Sequence, residues 1–117
     1  MDAIKIMGTD DTPTVTLDAA KEQFEISGRS LPEDVTAFYA PLLSWLDEYA
    51  GSPNAKTVFV FKLVYFNTAS SKLLLDMLMK LEEIQSSGHE VLVKWCYPED
   101  DEDMKDAGEE YADIVDV

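Results

Sequence analysis

Residues 57–66 read TVFVFKLVYF, and this stretch constrains the fold more than any other in the chain. β-Branched and aromatic side chains fill it almost end to end, which suits a pleated strand and disfavours a surface helix. A run apolar on nearly both faces is expected at the middle of a sheet, covered by helices on each side. It has to be buried by something, and the chain has 117 residues to do it with, 46% of them hydrophobic. That length fits one compact domain over residues 1–117, with one core holding roughly two thirds of the unfolded surface. Intrinsic disorder is not expected of such a composition.

The flanking segments say what does the covering. After the run, Leu74, Met77, Leu78, Leu81 and Ile84 recur at helical spacing between Ala69 and Ser87, and Gly88 stands where a helix commonly ends. Before it, Leu31, Val35, Phe38, Tyr39, Leu42, Leu43, Leu46 and Tyr49 form another such stripe as far as Gly51. Ser30 and Glu33 have the three-residue spacing of a capping box at the start of that helix, and Pro41 is expected to bend or divide it. Thr14–Asp18 and Gln23–Ser27, four residues apart, suit an antiparallel hairpin. The opening IKIMG allows one more short strand, and Glu90–Tyr97 returns to strand pattern.

Strand, helix, strand, helix, strand implies two right-handed crossovers and therefore a parallel centre. The expected fold is α/β: a mixed sheet of four to five strands, an antiparallel hairpin at its N-terminal side, and three or four helices. Tyr39, Trp45, Tyr49 and Trp95 are expected in the core or at its edge.

Charge narrows the partners. Nine basic against 24 acidic residues give −15, which opposes nonspecific binding to nucleic-acid backbones and to anionic membranes. Partners are expected to be basic, at least at the contact. The apolar stretches VFVFKLVYF and LLLDMLMKL are broken by charge and fall short of the ~20 residues of a membrane span. The single cysteine, Cys96, has no internal disulfide partner, and MDAIKIMGTDD lacks the features of a secretion signal. A cytoplasmic location follows as the expectation.

Enzyme motifs are missing. His89 is the lone histidine, nothing near it in sequence pairs a nucleophile with a base, and no GxxxxGK[ST] or GxGxxG occurs. Glu99–Glu110 carries eight acids and one lysine, about half of the net charge. Carboxylates in that run attract Mg²⁺ or Ca²⁺, but the alternating ligand positions of an EF-hand are absent, and acids in a first helical turn are favoured by the helix dipole alone. A short acidic helix lying on the sheet is expected, with Asp100, Asp101, Glu102 and Asp103 as an interaction surface for a basic partner.

The segment with most chemical content is YFNTASSK, where the apolar strand passes into the second helix. Asn67 or Thr68 suits the N-cap, whose side chain satisfies an orphan N–H. A hydroxyl here also suits phosphoryl transfer, because free amides and the dipole stabilise an anion at a helix start. The two roles are compatible.

DDTPTV, GRSLPEDVTAFYAPLLSWLDEY, FKLVYFNTASSK and KWCYPEDDEDMKDAGEEY together resemble the SiaC family of bacterial regulatory phosphoproteins, in family order and over nearly the whole chain. The resemblance implies a STAS-like fold, related to anti-sigma-factor antagonists, with no catalytic residue and no cofactor or metal. It implies phosphorylation of Thr68, with Ser70 and Ser71 as backup acceptors and Asn67, Ala69, Ser70, Ser71 and Lys72 as the partner interface around them. The implied partners are a SiaB-like protein kinase, a SiaA-like phosphatase of the PP2C type and a SiaD-like diguanylate cyclase activated by the unmodified form. Cyclic di-GMP and biofilm or aggregation would be the output. Ala69 and Lys72 depart from some relatives and bear on kinase recognition rather than on the acceptor. Two other function classes compete: an acidic nucleic-acid mimic acting through Glu99–Glu110, and a metal-dependent enzyme.

Overall fold

The computed structural model describes residues 3–114. In chain order the elements are β1 (Ile4–Ile6), β2 (Thr14–Asp18), β3 (Gln23–Ser30), α1 (Val35–Ala50), β4 (Lys56–Phe66), α2 (Thr68–Ser86), β5 (Glu90–Trp95) and α3 (Glu102–Ile114). The sheet has the order β1-β2-β3-β4-β5. β1, β2 and β3 pair antiparallel, and β3, β4 and β5 pair parallel. The expected α/β class, hairpin and parallel centre are present, with five strands and three helices among the described residues.

Strand order equal to chain order has a geometric consequence. Both crossovers step the same way across the sheet, so two right-handed connections put α1 and α2 on one face. There they bury Val15, Leu17, Phe24, Ile26, Phe59, Phe61 and Leu63 from the strands against Leu42, Leu46, Leu74, Met77 and Leu81 of the helices. Helices were expected on each side of β4, and the structure corrects that expectation. Thr57, Phe59, Phe61 and Leu63 are buried, whereas Val58 and Val60 are half-buried and Lys62 and Val64 are exposed. The run is apolar on both faces, but only one face is covered.

Two local expectations at α1 are also corrected. Its N-cap is Asp34, whose carboxylate accepts the Ala37 N–H, so Ser30 and Glu33 form no capping box. Ser30 instead ends β3 and is completely buried. Pro41 does not divide the helix, which runs from Val35 to Ala50 with the proline at an exposed position. The proline removes one backbone donor, and solvent can serve the carbonyl it leaves.

A bulge sets the end of β4. Gly28 pairs with Leu63, but Arg29 pairs with Tyr65 and Ser30 with Phe66, so Val64 is an extra residue in β4. Gly28, opposite the bulge, has φ +100°, a conformation that favours glycine. The extra residue reverses the alternation. Phe66 therefore turns toward the helices, level with Ser30, which follows Phe24, Ile26 and Gly28 on the inward side of β3, while Tyr65 turns outward beside Arg29, the guanidinium 5.7 Å from the ring centroid.

Candidate functional site

The strand-to-helix junction after β4 is built from the inside outward. Ser30, Tyr39 and Ser70 are completely buried, and their hydroxyls meet. Ser30 Oγ lies 2.6 Å from Tyr39 Oη and donates to Ser70 Oγ at 2.9 Å, and Ser70 Oγ donates back to the Ser30 carbonyl at 3.0 Å. With one proton each, the order that satisfies all three runs from Tyr39 to Ser30 to Ser70 to that carbonyl. Burial pushes the Tyr39 phenol above its ordinary pKa. The Asn67 N–H also reaches the Ser30 carbonyl, at 3.2 Å. The start of α2 is thus pinned to the end of β3 and to α1.

On that base, Asn67 is the N-cap of α2, its side chain accepting the Ser70 N–H at 2.8 Å. This resolves the choice between Asn67 and Thr68. Thr68 occupies the first helical position and is exposed, as are Ala69 and Lys72. Asn67 takes the Ser70 N–H with its side chain and the Ser71 N–H with its carbonyl, so the positive end of the dipole is presented at Thr68 by the first two amides of the helix, which helix geometry leaves without intrahelical acceptors. Lys72 lies four residues on, over the same side of the helix.

The other two hydroxyls differ. Ser70 has no accessible surface and its proton is spent inside, so the backup acceptor role has no surface to act from. Nor is Ser70 a contact for a docking partner; it belongs to the core that positions the contact. Ser71 is half-buried and its Oγ donates to the Thr68 carbonyl at 2.7 Å.

α3 closes one side of the junction. Tyr111 Oη donates to the Ser71 carbonyl at 2.8 Å, and Trp95 Nε1 donates to the Met104 carbonyl at 2.9 Å. Burial raises the Tyr111 phenol to about 12, opposed by the nearby Ser71 side chain. Trp95 and Tyr111 rings meet at 5.4 Å, and Phe66 packs against both. Asp101 is not a free acidic contact: its Oδ1 accepts the Met104 N–H at 3.0 Å, capping α3. Asp100, Glu102 and Asp103 remain exposed. Among the described residues, no group of three or more histidine, cysteine, aspartate or glutamate side chains is arranged to hold a metal ion.

Sequence reasoning missed one pairing, between His89 Nδ1 and Ser87 Oγ at 3.1 Å. Its direction is the reverse of what nucleophile activation needs. Ser87 donates its proton to the Ile84 carbonyl at 2.7 Å, so His89 is the donor to Ser87. It also missed the Ser30–Tyr39–Ser70 network, because residues forty positions apart meet there through topology alone.

Fold and junction together define a one-sided α/β module that presents a hydroxyl at a helix start on a rigid, fully hydrogen-bonded base. The chain belongs to the SiaC family of regulatory phosphoproteins, whose family model matches residues 6–117. An uncharacterized protein of Pseudomonas aeruginosa (strain UCBPP-PA14) is 27% identical over 111 residues, 95% of this chain and 88% of that protein. The crystal structure of apo-SiaC from Pseudomonas aeruginosa superposes with a TM-score of 0.89 at 26% identity, covering 99% of this chain and 94% of that one. The chain is equally similar to SiaC in the complex of diguanylate cyclase SiaD with its activator SiaC, from the same organism. There the TM-score is 0.89 at 25% identity, over 97% of this chain and 93% of that one.

Proposed function

We propose that this chain is a non-enzymatic, cytoplasmic partner switch whose state is set by phosphorylation of Thr68. In the unmodified state it binds and activates a diguanylate cyclase, by likeness to the SiaC that activates SiaD. A protein kinase adds the phosphoryl group and a PP2C-type phosphatase removes it, which tunes cyclic di-GMP and through it aggregation or biofilm growth. The observation that carries this reading is the exposed Thr68 hydroxyl at the first position of α2, above a buried network that does not depend on it.

The physics of the switch is local. A phosphoryl group adds about −1.5 to −2 charge, which the free amides and Lys72 can accept without disturbing Asn67 or Ser70. A partner docked over the same point loses complementarity there. Loss of one central contact can cost about 2 kcal/mol, roughly thirtyfold in affinity. The fold stays, and docking goes.

Affinity capture with wild-type, Thr68→Ala and Thr68→Glu baits, joined to phosphosite mapping, tests this. A cyclase retained by wild type and Thr68→Ala but lost from Thr68→Glu, with phosphate on Thr68, supports it. Identical captures from all three baits, or phosphate mapped elsewhere, refute it. Against the nucleic-acid mimic, α3 is anchored to Trp95 and Ser71 as part of the junction, and the exposed acids Asp100, Glu102 and Asp103 at its start support that reading by charge alone.

A further inference from the structure

The sheet face opposite α1 and α2 carries a patch unlike the rest of the molecule. Val58 and Leu92 are register partners, and Val60 is the next outward residue along β4, so the three form a contiguous apolar triangle. Leu92 is 44% exposed, and beside it Val58 and Val60 line a depression of about 390 Å³ that Thr16 and two acids, Glu22 and Glu25, also border. Charge on this face runs against the chain total. The register turns Lys5, Arg29, Lys56, Lys62 and Lys94 outward, five of the nine basic residues, against Asp18, Glu25 and Glu90. Lys62 and Glu25 pair at 3.4 Å, both well exposed, a contact of small value in water.

We propose that this open face docks an amphipathic helix of a partner protein. Its apolar stripe seats on Val58, Val60 and Leu92, and its flanking carboxylates meet Lys62 and Lys94. Over Val58 and Val60 a strand would find no backbone to pair with, because β4 is hydrogen-bonded to β3 on one side and to β5 on the other, so only side chains are recognised there. A helix offers apolar side chains at three- and four-residue steps about 5–6 Å apart, close to the spacing of neighbouring strands and alternate strand residues. A second copy is disfavoured because it opposes lysines to lysines and brings −15 to −15. A nucleic-acid backbone would meet the same lysines but offers no apolar stripe to seat on Val58, Val60 and Leu92. The surface is independent of Thr68, being on the other side of the sheet.

The test selects a displayed library of helical peptides on the full-length chain and measures the enriched peptides by fluorescence anisotropy. Enriched sequences should combine an apolar stripe with Asp or Glu. Their Kd should rise at least tenfold with Leu92→Glu and with Lys62→Glu, and stay unchanged with Lys105→Glu on α3. Lys62 is exposed, so its variant folds even where Leu92→Glu does not. Overturning results are a selection that yields no binder, peptides enriched in Lys or Arg, or affinities indifferent to both face variants. Sedimentation showing self-association lost in Lys62→Glu would assign the face to a second copy. Binding to phosphatidylglycerol vesicles would assign it to a membrane. Either would overturn the helix.

Discussion

Ser30 Oγ, at the end of β3, donates to Ser70 Oγ in the first turn of α2 across forty residues of chain, at 2.9 Å. That bond makes the strand-to-helix junction a fixed platform rather than a loose connection. Both residues are inaccessible to solvent, so removing either hydroxyl leaves its partner short of a bond that water cannot replace. Ser70→Ala is therefore expected to destabilise the fold by about 1–3 kcal/mol. Ser71→Ala, at the half-buried neighbour, should stay within about 0.5 kcal/mol. Urea denaturation of the two variants checks the difference.

Capping gives a second expectation at the same junction. Asn67→Ala removes the acceptor for the Ser70 N–H and should cost about 1 kcal/mol. Asn67→Asp keeps an acceptor and adds a charge the helix dipole favours, so its midpoint should equal or exceed that of wild type. Thermal melts of the pair decide it.

α3 is held against Trp95 at glycine contact distance. A Cβ built on Gly108 would lie 2.5 Å from Trp95 Cδ1, so something must shift if one is added. Gly to Ala inside a helix normally gains about 1 kcal/mol. Here Gly108→Ala should instead cost about 1–3 kcal/mol through overpacking. Loss of the Trp95 near-ultraviolet circular dichroism should accompany it, with little change in helix content.

Two phenols tie stability to alkaline pH. Tyr39 and Tyr111 both titrate above their ordinary pKa in the folded chain, Tyr111 at about 12, because burial penalises the phenolate. A group whose folded pKa is raised holds its proton more tightly when folded. Its contribution is complete below pH 10, the unfolded value, and is lost as pH rises from there toward 12. Stability should fall across that window, and Tyr111→Phe should make the fall shallower. Denaturant midpoints taken between pH 9 and pH 12 check the sign.

Much of this was legible in the sequence where one physical signal dominated. The β-branched run placed β4, helical periodicity placed α1 and α2, and a four-residue gap placed the β2–β3 hairpin, because each depends on neighbours in the chain. YFNTASSK marked the junction through its polar residues between strand and helix. What stayed hidden depends on contacts between distant segments. Ser30 has the spacing of a helix cap, but β3 runs on past Ser27 to include it, and the strand's alternation turns it into the core beside Ser70. Ser70 looks no different in sequence from Thr68, two residues away, yet one faces Ser30 and the other faces water. The uncovered sheet face was concealed for a similar reason: a strand apolar on both sides reads as doubly covered, and only strand order shows that both helices share one face.

Titration calorimetry of the captured cyclase against the chain, unmodified and carrying phosphothreonine at position 68, tests the central claim most directly, with melting curves of both forms alongside. The expected result is a melting point unchanged within about 4 °C, a shift worth roughly 1 kcal/mol or less, and binding weakened by about thirtyfold or more. Equal affinity for the two forms, or a phosphorylated chain that no longer folds, would contradict it.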